Sequence, residues 1–349
     1  MTHKLDALFA GFASKPVAKN ALMAIEAPDH GISWRGVPSH LSVDTPFCAA
    51  SCTKMMTATL ALQLADASEI DLDAPAASYL PKGRMDGLLR IGGKDLSGRI
   101  TVRQLLSNTS GLPDYFTDRP KGGRSYMDDL QAGNDRTWTS DDALERTREL
   151  KPRFAPGTPG KAHYSDTNFV LMGQVLDALT GKPFADLIDE RIVRRLGLSA
   201  SYILGPERLE SYAGIAPVSY GEKELHIPLS LASVGAQGGW ITTLADSMTF
   251  LRAFMGGELF DKRHLGAILS NWNRVFFPFR YGMGAMKFEM HPILTGFRRI
   301  PPFFGHSGST GALMYHCPER NFWICGTSNQ FSASNLPYQF MIQAMMSLR

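Results

Sequence analysis

The chain is organised around one segment, Thr45-Pro-Phe-Cys-Ala-Ala-Ser-Cys-Thr-Lys-Met-Met-Thr-Ala-Thr-Leu-Ala-Leu-Gln-Leu64. Beyond Pro46, apolar residues recur at helical spacing, so the segment predicts a mostly buried helix that begins near Ser51. Three residues make almost one helical turn, and Ser51 and Lys54 therefore project to the same side of the first turn. The Ser51 hydroxyl also lies near the free N–H groups and the positive end of the helix dipole.

A serine and a lysine at this spacing are typical of an activated nucleophile and its base. A serine hydroxyl is a poor nucleophile until a neighbouring group takes its proton, and a lysine that has lost its own proton can do so. The same Ser-x-x-Lys pattern also occurs as a helix N-cap followed by a solvated lysine. The helix after Lys54 is too apolar for the surface, however, and a buried lysine needs a reason. We therefore predict that Ser51 is the nucleophile, in preference to the adjacent thiol of Cys52.

The composition is that of a globular protein with a substantial core. With 44% hydrophobic and 20% charged residues, 349 residues are enough for one large or two ordinary domains. Lys and Arg number 36 against 33 Asp and Glu, and the net charge of +3 is spread without a long basic run. This distribution argues against nucleic acid or an anionic membrane as the main partner. It leaves the oligomeric state open.

The beginning of the chain and its cysteines predict a cellular location. Residues 1–12 contain Asp6 and no uninterrupted apolar run, which favours a short amphipathic helix over a signal peptide. No run of about 18 apolar residues is present, so no membrane span is expected. Four cysteines without a Cys-x-x-Cys pair indicate reduced, buried thiols. We predict a cytoplasmic protein that uses no metal or cofactor.

The distribution of strand and helix patterns predicts the fold class. Residues 21–34 have the pattern of two short strands around an Asp-His-Gly turn, and a region to about residue 270 shows mainly helical periodicity. Three strand patterns and a terminal helix follow, over 281–288, 311–317, 321–329 and 335–348. The prediction is an α+β fold in which an antiparallel sheet, built from both chain ends, is flanked by helices.

The same pattern predicts the domain boundaries. Residues 1–75 and 275–349 would form an α/β sheet domain, and residues 76–274 an inserted, mainly helical domain. The Ser51 helix would lie at their junction, which is a common place for a binding site. Segment 271–304 is rich in Phe, Pro and Arg, and is either a loop over the site or a source of core aromatics.

Two further polar motifs lie downstream. Tyr164-Ser-Asp166 follows the turn Pro156-Gly-Thr-Pro-Gly and precedes an apolar helix. His306-Ser-Gly308 lies between glycines at the head of a strand, where the backbone can approach a ligand closely. Each motif alone has a structural interpretation, as a core tyrosine or a turn histidine. The ordered set of three motifs is the informative signal.

The order Ser51-x-x-Lys54, Tyr164-Ser-Asp166 and His306-Ser-Gly308 resembles that of the penicillin-recognising serine hydrolases. This family contains class C β-lactamases, DD-peptidases, D-amino-acid amidases and the related family VIII esterases. Three subsidiary segments agree with it, 105–112, 156–158 and 238–246, and the resemblance covers roughly residues 20 to 345. It implies the β-lactamase/DD-peptidase-like fold, an antiparallel sheet flanked by helices with an inserted, mostly helical domain.

The resemblance also implies a role for each motif residue. Ser51 would attack the substrate carbonyl with Lys54 as its immediate base, and Tyr164 would share protons with both and help to activate water after acylation. The backbone N–H groups of Ser51 and Ser309 would form the oxyanion hole. His306 takes the position that a lysine holds in many β-lactamases, and its imidazole would hydrogen-bond near Tyr164 or the substrate carboxylate. Two more residues of the third motif would contact substrate, Ser307 and Gly308.

One position departs from the family pattern. The third residue of the tyrosine motif is usually Asn, and here it is Asp166. An amide can donate a hydrogen bond to a substrate carbonyl, whereas an ionised carboxylate only accepts and would keep Lys54 charged. We therefore expect Lys54 to be a weaker base and Tyr164 to carry more of the proton transfer. Asp166 would either pair with Lys54 or receive a substrate ammonium.

These residues predict a serine hydrolase that forms an acyl-enzyme on a small ester or amide, with an esterase as the first choice. A D-stereospecific amidase or peptidase, or a class C-like β-lactamase, is the alternative within the family. A catalytically inactive homologue that serves as a binding or scaffolding module is the alternative from another class. The absence of Lys from the third motif points away from cell-wall substrates.

Overall fold

Both ends of the chain contribute strands to one antiparallel sheet. A computed structural model describes residues 2–290 and 299–348, and its largest sheet has eight strands. The strands of the described residues are β1 (Leu22–Ala27), β2 (Ile32–Gly36), β3 (Phe47–Cys48), β4 (Arg90–Ile91), β5 (Lys94–Asp95), β6 (Tyr202–Ile203), β7 (Val218–Tyr220), β8 (Lys223–Leu225), β9 (Trp240–Thr242), β10 (Asn273–Phe276), β11 (Phe279–Tyr281), β12 (Met286–Phe288), β13 (Phe303–Ser307), β14 (Leu313–Cys317) and β15 (Phe322–Thr327). The order in the large sheet is β10-β11-β12-β13-β14-β15-β1-β2, so the predicted contribution of both chain ends is confirmed.

Helices cover the sheet and fill the middle of the chain. In the described residues they are α1 (Thr2–Ala13), α2 (Thr53–Asp66), α3 (Val102–Leu106), α4 (Tyr126–Ala132), α5 (Ser140–Glu149), α6 (Asp166–Thr180), α7 (Phe184–Ile188), α8 (Arg194–Leu196), α9 (Pro228–Ser233), α10 (Leu244–Gly256), α11 (Lys262–Ser270) and α12 (Leu336–Ser347). Thr101, Ser125 and Thr139 begin α3, α4 and α5 with reciprocal capping boxes. Across residues 2–290 and 299–348, no helix combines the length and apolar character that a membrane span needs.

The two faces of the sheet bury different helices, because successive residues of a strand point to opposite sides. On β14, the Tyr315 ring packs against Tyr338 of α12. The next residue, His316, stacks on Trp323, over which the Arg252 guanidinium of α10 lies. α12 and α10 therefore cover opposite faces. This gives the predicted α+β arrangement of an antiparallel sheet flanked by helices.

Helix α10 bears on the predicted division into domains. It falls inside the range 76–274, which we predicted as an inserted helical part, yet it packs against β1, β14 and β15. Strand β9, from the same range, pairs with β3 just before the Ser51 helix. The boundaries at residues 75 and 275 stay a prediction.

The strand predictions near the chain ends differ in outcome. The first hairpin is confirmed, since β1 and β2 pair around the turn Pro28–His30. The single strand predicted over 281–288 is wrong. A tight turn, in which the Gly282 N–H donates to the Ala285 carbonyl, separates β11 from β12. In its described residues, segment 271–304 forms β10, β11, β12 and the first residues of β13, and its residues 291–298 lie outside the described residues.

Candidate active site

Ser51 lies in a strained turn that runs directly into α2. Residues Ala50–Cys52 form a single 3₁₀ turn, and Ala50 has a φ of 45°, a left-handed conformation that is unusual for a residue with a side chain. The Lys54 side chain, one turn later, is fully buried, and its Nζ lies 2.9 Å from the Ser51 Oγ. The structure thus brings the predicted nucleophile and its neighbour within hydrogen-bond distance.

The Lys54 ammonium has two further oxygen partners. Its Nζ donates to the backbone carbonyl of Gln237 at 2.7 Å and forms an ion pair with Asp166 Oδ1 at 2.6 Å. Only 10% of the Asp166 side chain is exposed, and the residue begins α6, where the helix dipole favours a negative charge. The pairing that we expected for Asp166 is present. The Lys54 Nζ thus contacts three oxygen atoms, one each from Ser51, Gln237 and Asp166.

Tyr164 lies against the same ammonium. The Lys54 Nζ is 5.2 Å from the centre of the Tyr164 ring. Burial, and then the Asp166 carboxylate, raise the pKa of Tyr164 well above its ordinary value, while the Ser51 side chain moderates the increase. The phenol therefore keeps its proton at neutral pH. Tyr164 can therefore relay a proton, but it is not a phenolate that could act as a general base before the substrate binds.

His306 has partners other than those that we predicted. It is fully buried on β13, an inner strand, and its Nε2 lies 3.1 Å from the Tyr281 hydroxyl. Its Nδ1 donates to the Ser307 carbonyl at 2.8 Å, while the Tyr164 ring is 6.3 Å from the imidazole centre to centre. Burial and the Lys54 charge lower the pKa of His306 to about 3, so the ring is neutral. A fully buried, neutral imidazole is not placed to receive a substrate carboxylate.

Ser307 points to the opposite face of the sheet, because it follows His306 on the strand. Its hydroxyl lies 2.9 Å from the Tyr315 hydroxyl, on the side that α12 covers. The predicted contact between the Ser307 side chain and a substrate therefore has no support in this geometry. The sequence pattern could not show which residue of the motif faces the nucleophile.

Gly308 brings the end of β13 against the nucleophile turn. A Cβ at this position would lie 2.5 Å from the Ala49 carbonyl oxygen and 3.2 Å from the Ser51 backbone nitrogen. No side chain fits there without displacing the turn. Ser309, which follows, lines the same pocket as Ser51. Gly308 therefore brings the end of β13 to the Ser51 backbone nitrogen, and the oxyanion hole of the Ser51 and Ser309 N–H groups stays a prediction.

The neighbouring thiol is not an alternative nucleophile in this structure. Cys52 is fully buried, and its Sγ lies 3.5 Å from the His306 carbonyl oxygen. Burial raises the pKa of the Cys52 thiol well above its ordinary value. A protonated, enclosed thiol is unreactive.

A second carboxyl group, Asp114, lies behind Asp166 and is 1% exposed. Its Oδ1 accepts hydrogen bonds from the backbone N–H groups of Asp166 and Phe116, each at 3.1 Å, and its Oδ2 from the Thr117 hydroxyl. Burial, and then the Asp166 carboxylate, raise the pKa of Asp114 to about 7. The group therefore retains its proton in the folded protein over a pH range in which it ionises in the unfolded chain.

Replacing Asp114 with Asn is expected to change how stability depends on pH. The unfolded carboxyl ionises near pH 4, whereas the folded one does so at about 7. Since the folded state binds the extra proton between these values, the native protein loses stability as the pH rises through them. An amide at this position cannot ionise, so the variant should gain stability relative to the native protein from about pH 4 to about pH 7 in urea unfolding. A constant difference would contradict a protonated Asp114.

Sequence reasoning missed three groups around the nucleophile. The Gln237 carbonyl contacts Lys54, the Asp114 carboxyl supports Asp166, and the Tyr281 hydroxyl contacts His306. The type of a residue does not reveal a contact that its backbone carbonyl makes. Gln237 does, however, directly precede the segment 238–246 that supports the family resemblance. Asp114 and Tyr281 carried no motif, and only the tertiary fold brings them here.

A pocket adjoins Ser51. Its polar lining comes from the turn that holds Ser51, the start of α6, the turn before β9 and the residues after β13: Ser51, Asp166, Gln237, Ser309 and Thr310. Its apolar lining comes from side chains of the helical region and of the loop after β15: Phe116, Leu130, Leu231, Val234 and Phe331. The pocket therefore suits a small, largely apolar group with one polar contact near the nucleophile.

Comparison with known proteins identifies relatives of this chain. The chain is 24% identical over 301 residues to penicillin-binding protein 4 of Amycolatopsis lactamdurans, which covers 80% of this chain and 70% of that protein. It is 32% identical over 171 residues to esterase EstB of Burkholderia gladioli, spanning 48% of this chain and 41% of the esterase. Part of the esterase's length thus has no counterpart in the match.

A solved structure and a family model are similar to this chain over most of its length. The D-stereospecific amidohydrolase from Streptomyces sp. superposes with a TM-score of 0.74 and 26% identity, covering 97% of this chain and 98% of that one. The predicted β-lactamase/DD-peptidase-like fold is therefore confirmed. The family model described as Beta-lactamase matches residues 19–340, which include every residue of the site described above. The chain belongs to the Beta-lactamase family, among whose relatives here are a penicillin-binding protein and an esterase.

Proposed function

We propose that the protein is a serine hydrolase that forms an acyl-enzyme at Ser51 on small carboxylic esters or amides, and that esters are its preferred substrates. The observation that carries this proposal is the 2.9 Å contact between the Ser51 Oγ and the Nζ of a fully buried lysine. Gly308, packed against the Ser51 backbone nitrogen, supports an oxyanion hole at the same atom.

The proton path follows from the charges around Ser51. The ammonium of Lys54, paired with Asp166, stabilises negative charge on the attacking oxygen and holds it in position. As the Ser51 Oγ bonds to the substrate carbonyl carbon, its proton passes to the Tyr164 oxygen, and in the same step Tyr164 gives its own proton to the leaving oxygen or nitrogen, so the phenol is neutral before and after the transfer. The bond between that protonated atom and the acyl carbon then breaks. A water molecule then attacks the acyl carbon. Tyr164 takes a proton from the water and returns its own to the Ser51 Oγ, which leaves as the acid is released.

Two features support esters over amides. An alkoxide leaves more readily than an amide nitrogen, so an ester depends less on a strong base and on early protonation of the leaving group. Here the Lys54 Nζ is engaged in an ion pair with Asp166 at 2.6 Å and is not free to take the serine proton. The similarity to esterase EstB over about half of the chain agrees with this preference.

A D-stereospecific amidase or peptidase is the second candidate. The Asp166 carboxylate lines the pocket beside Ser51 and would accept an ammonium group α to the substrate carbonyl. The Streptomyces amidohydrolase superposes along nearly the whole chain. Weak β-lactamase activity would be a side reaction of either enzyme, and the inactive binding module is the candidate without chemistry.

Intact-mass spectrometry after exposure to a fluorophosphonate tests the proposal. We expect a single adduct on the native protein and none on Ser51→Ala, with Cys52→Ala as the matched control that keeps the adduct. A turnover panel of short-chain p-nitrophenyl esters, D-alanine amides and a chromogenic cephalosporin then ranks the substrate classes. No adduct and no turnover would favour the binding module, and faster turnover of D-alanine amides than of esters would favour the amidase.

We also propose a cytoplasmic location. The four cysteines are unpaired and buried, a state that a reducing compartment favours. Immunodetection in separated cytoplasmic and periplasmic or secreted fractions would test this location.

A further inference from the structure

Two phenylalanines are exposed on the β10–β11 hairpin. Phe276 is 46% exposed and Phe277 is 68% exposed, the highest values among the large hydrophobic residues of the described chain. Apolar surface of this kind often marks a binding surface. The two residues differ, however, in what they contact.

Phe276 is fixed next to the candidate proton donor. Its ring meets the Tyr164 ring edge-on, with 6.1 Å between the centres, and lies 5.3 Å from the Phe279 ring on the next strand. β10 is the edge strand of the large sheet, so no further strand covers this side of the hairpin among the described residues. The Phe276 ring is therefore held by contacts with Tyr164 and Phe279, and nearly half of the residue remains exposed to solvent.

Two separate surfaces meet at Ser51. One is the pocket that contains Asp166, Ser309 and the apolar side chains of the helical region, and neither Tyr164 nor Phe276 belongs to its lining. The other is the surface formed by Tyr164 and Phe276. An ester also extends from its carbonyl carbon in two directions, as an acyl group and an alcohol.

The proton path assigns the two halves to the two surfaces. Tyr164 must be within hydrogen-bond distance of the leaving oxygen in order to protonate it. The alcohol half therefore lies on the Tyr164 side, and the acyl half lies in the pocket. The partly exposed ring of Phe276 adjoins Tyr164 on that side.

We propose that Phe276 is a specificity-determining residue that binds the leaving group, and that it selects esters of aromatic alcohols. The proposal rests on the proposed function, because it needs Tyr164 to act on the leaving oxygen. An aromatic alcohol can pack edge-on or offset against the exposed part of the ring, whereas methanol is too short to reach it.

The test compares two esters that share one acyl group, methyl butyrate and benzyl butyrate. Methanol and benzyl alcohol have similar leaving ability, so the comparison isolates contact with the alcohol. kcat/KM is the informative quantity, since it reports the steps up to acylation, in which the alcohol is still attached. Phe276→Ala is expected to lower kcat/KM for the benzyl ester by about ten- to a hundredfold. The value for the methyl ester should stay within about twofold.

Phe277→Ala is the matched control, because it removes an adjacent and more exposed phenylalanine that makes no such contact with Tyr164 in the described residues. Its two kcat/KM values should stay near those of the native protein. Equal losses on both esters with Phe276→Ala would overturn the inference and indicate a role in positioning Tyr164. No loss on either ester would also overturn it.

The two proposals fail in different ways. If the native protein hydrolyses both esters and is labelled at Ser51 while Phe276→Ala is unchanged, only the leaving-group inference fails. If the native protein hydrolyses neither ester and takes no fluorophosphonate adduct, the proposed function fails, and the inference about Phe276 falls with it.

Discussion

Gly308→Ala is expected to lower kcat by about a hundredfold to a thousandfold, the effect of losing one oxyanion-hole donor. The added methyl group would lie 2.5 Å from the Ala49 carbonyl oxygen and 2.8 Å from the Ala50 Cβ. Since backbone atoms on both sides are fixed by secondary structure, β13 and the turn before Ser51 must separate. The proposed oxyanion hole of the Ser51 and Ser309 N–H groups would then be disrupted.

The measurement is kcat on a p-nitrophenyl ester, with urea unfolding to establish that the variant is folded. Gly98→Ala is the matched control, because a Cβ at Gly98 has no atom within 4 Å and should leave kcat unchanged. A folded Gly308→Ala variant with native kcat would place the oxyanion hole elsewhere. Slower labelling of Ser51 by the fluorophosphonate should accompany the loss of kcat.

Asp166→Ala is expected to lower the free energy of unfolding by about 3–5 kcal/mol, because it leaves the buried Lys54 ammonium without its counter-charge. The two groups are 2.6 Å apart, and their side chains are 10% and 0% exposed. Replacing both, as in Lys54→Met with Asp166→Leu, removes the uncompensated charge and should recover most of the loss.

Urea unfolding of Asp166→Ala and of the double variant checks this expectation. The control is Glu224→Gln, which breaks the ion pair with Lys19 between side chains that are about half exposed. That change should cost under about 1 kcal/mol, since solvent screens the pair. A double variant that is no more stable than Asp166→Ala would mean that the loss comes from packing rather than from the unpaired charge.

The parts of the site that could be predicted from sequence are those that depend on local geometry. Ser51 and Lys54 are one helical turn apart, so their contact follows from the helix alone. The first hairpin and α2 likewise follow from short patterns of apolar and turn residues. The family resemblance supplied the distant motif residues, which no local rule brings together.

Other parts of the site depend on which face of the sheet each strand residue points to. The sequence did not allow this orientation to be predicted. His306 and Ser307 are adjacent in sequence, yet one faces the Tyr281 hydroxyl and the other faces Tyr315 on the opposite side of the sheet. A shift of one residue would exchange them. The prediction that 281–288 is a single strand was wrong because the four-residue turn between β11 and β12 consists of apolar and glycine residues, whose sequence also fits a continuous strand.

Ala50, with its φ of 45°, has a consequence for when activity arises during folding. The left-handed conformation of an alanine costs about 1–2 kcal/mol, and the interactions within α2 alone do not offset this cost. What holds it is distant in sequence, including the Ala49 N–H bonded to the Trp240 carbonyl and the Thr310 hydroxyl bonded to the Cys48 carbonyl. A nascent or excised N-terminal third would therefore contain serine and lysine but no reactive centre, and reactivity would appear only when residues from the last third have docked.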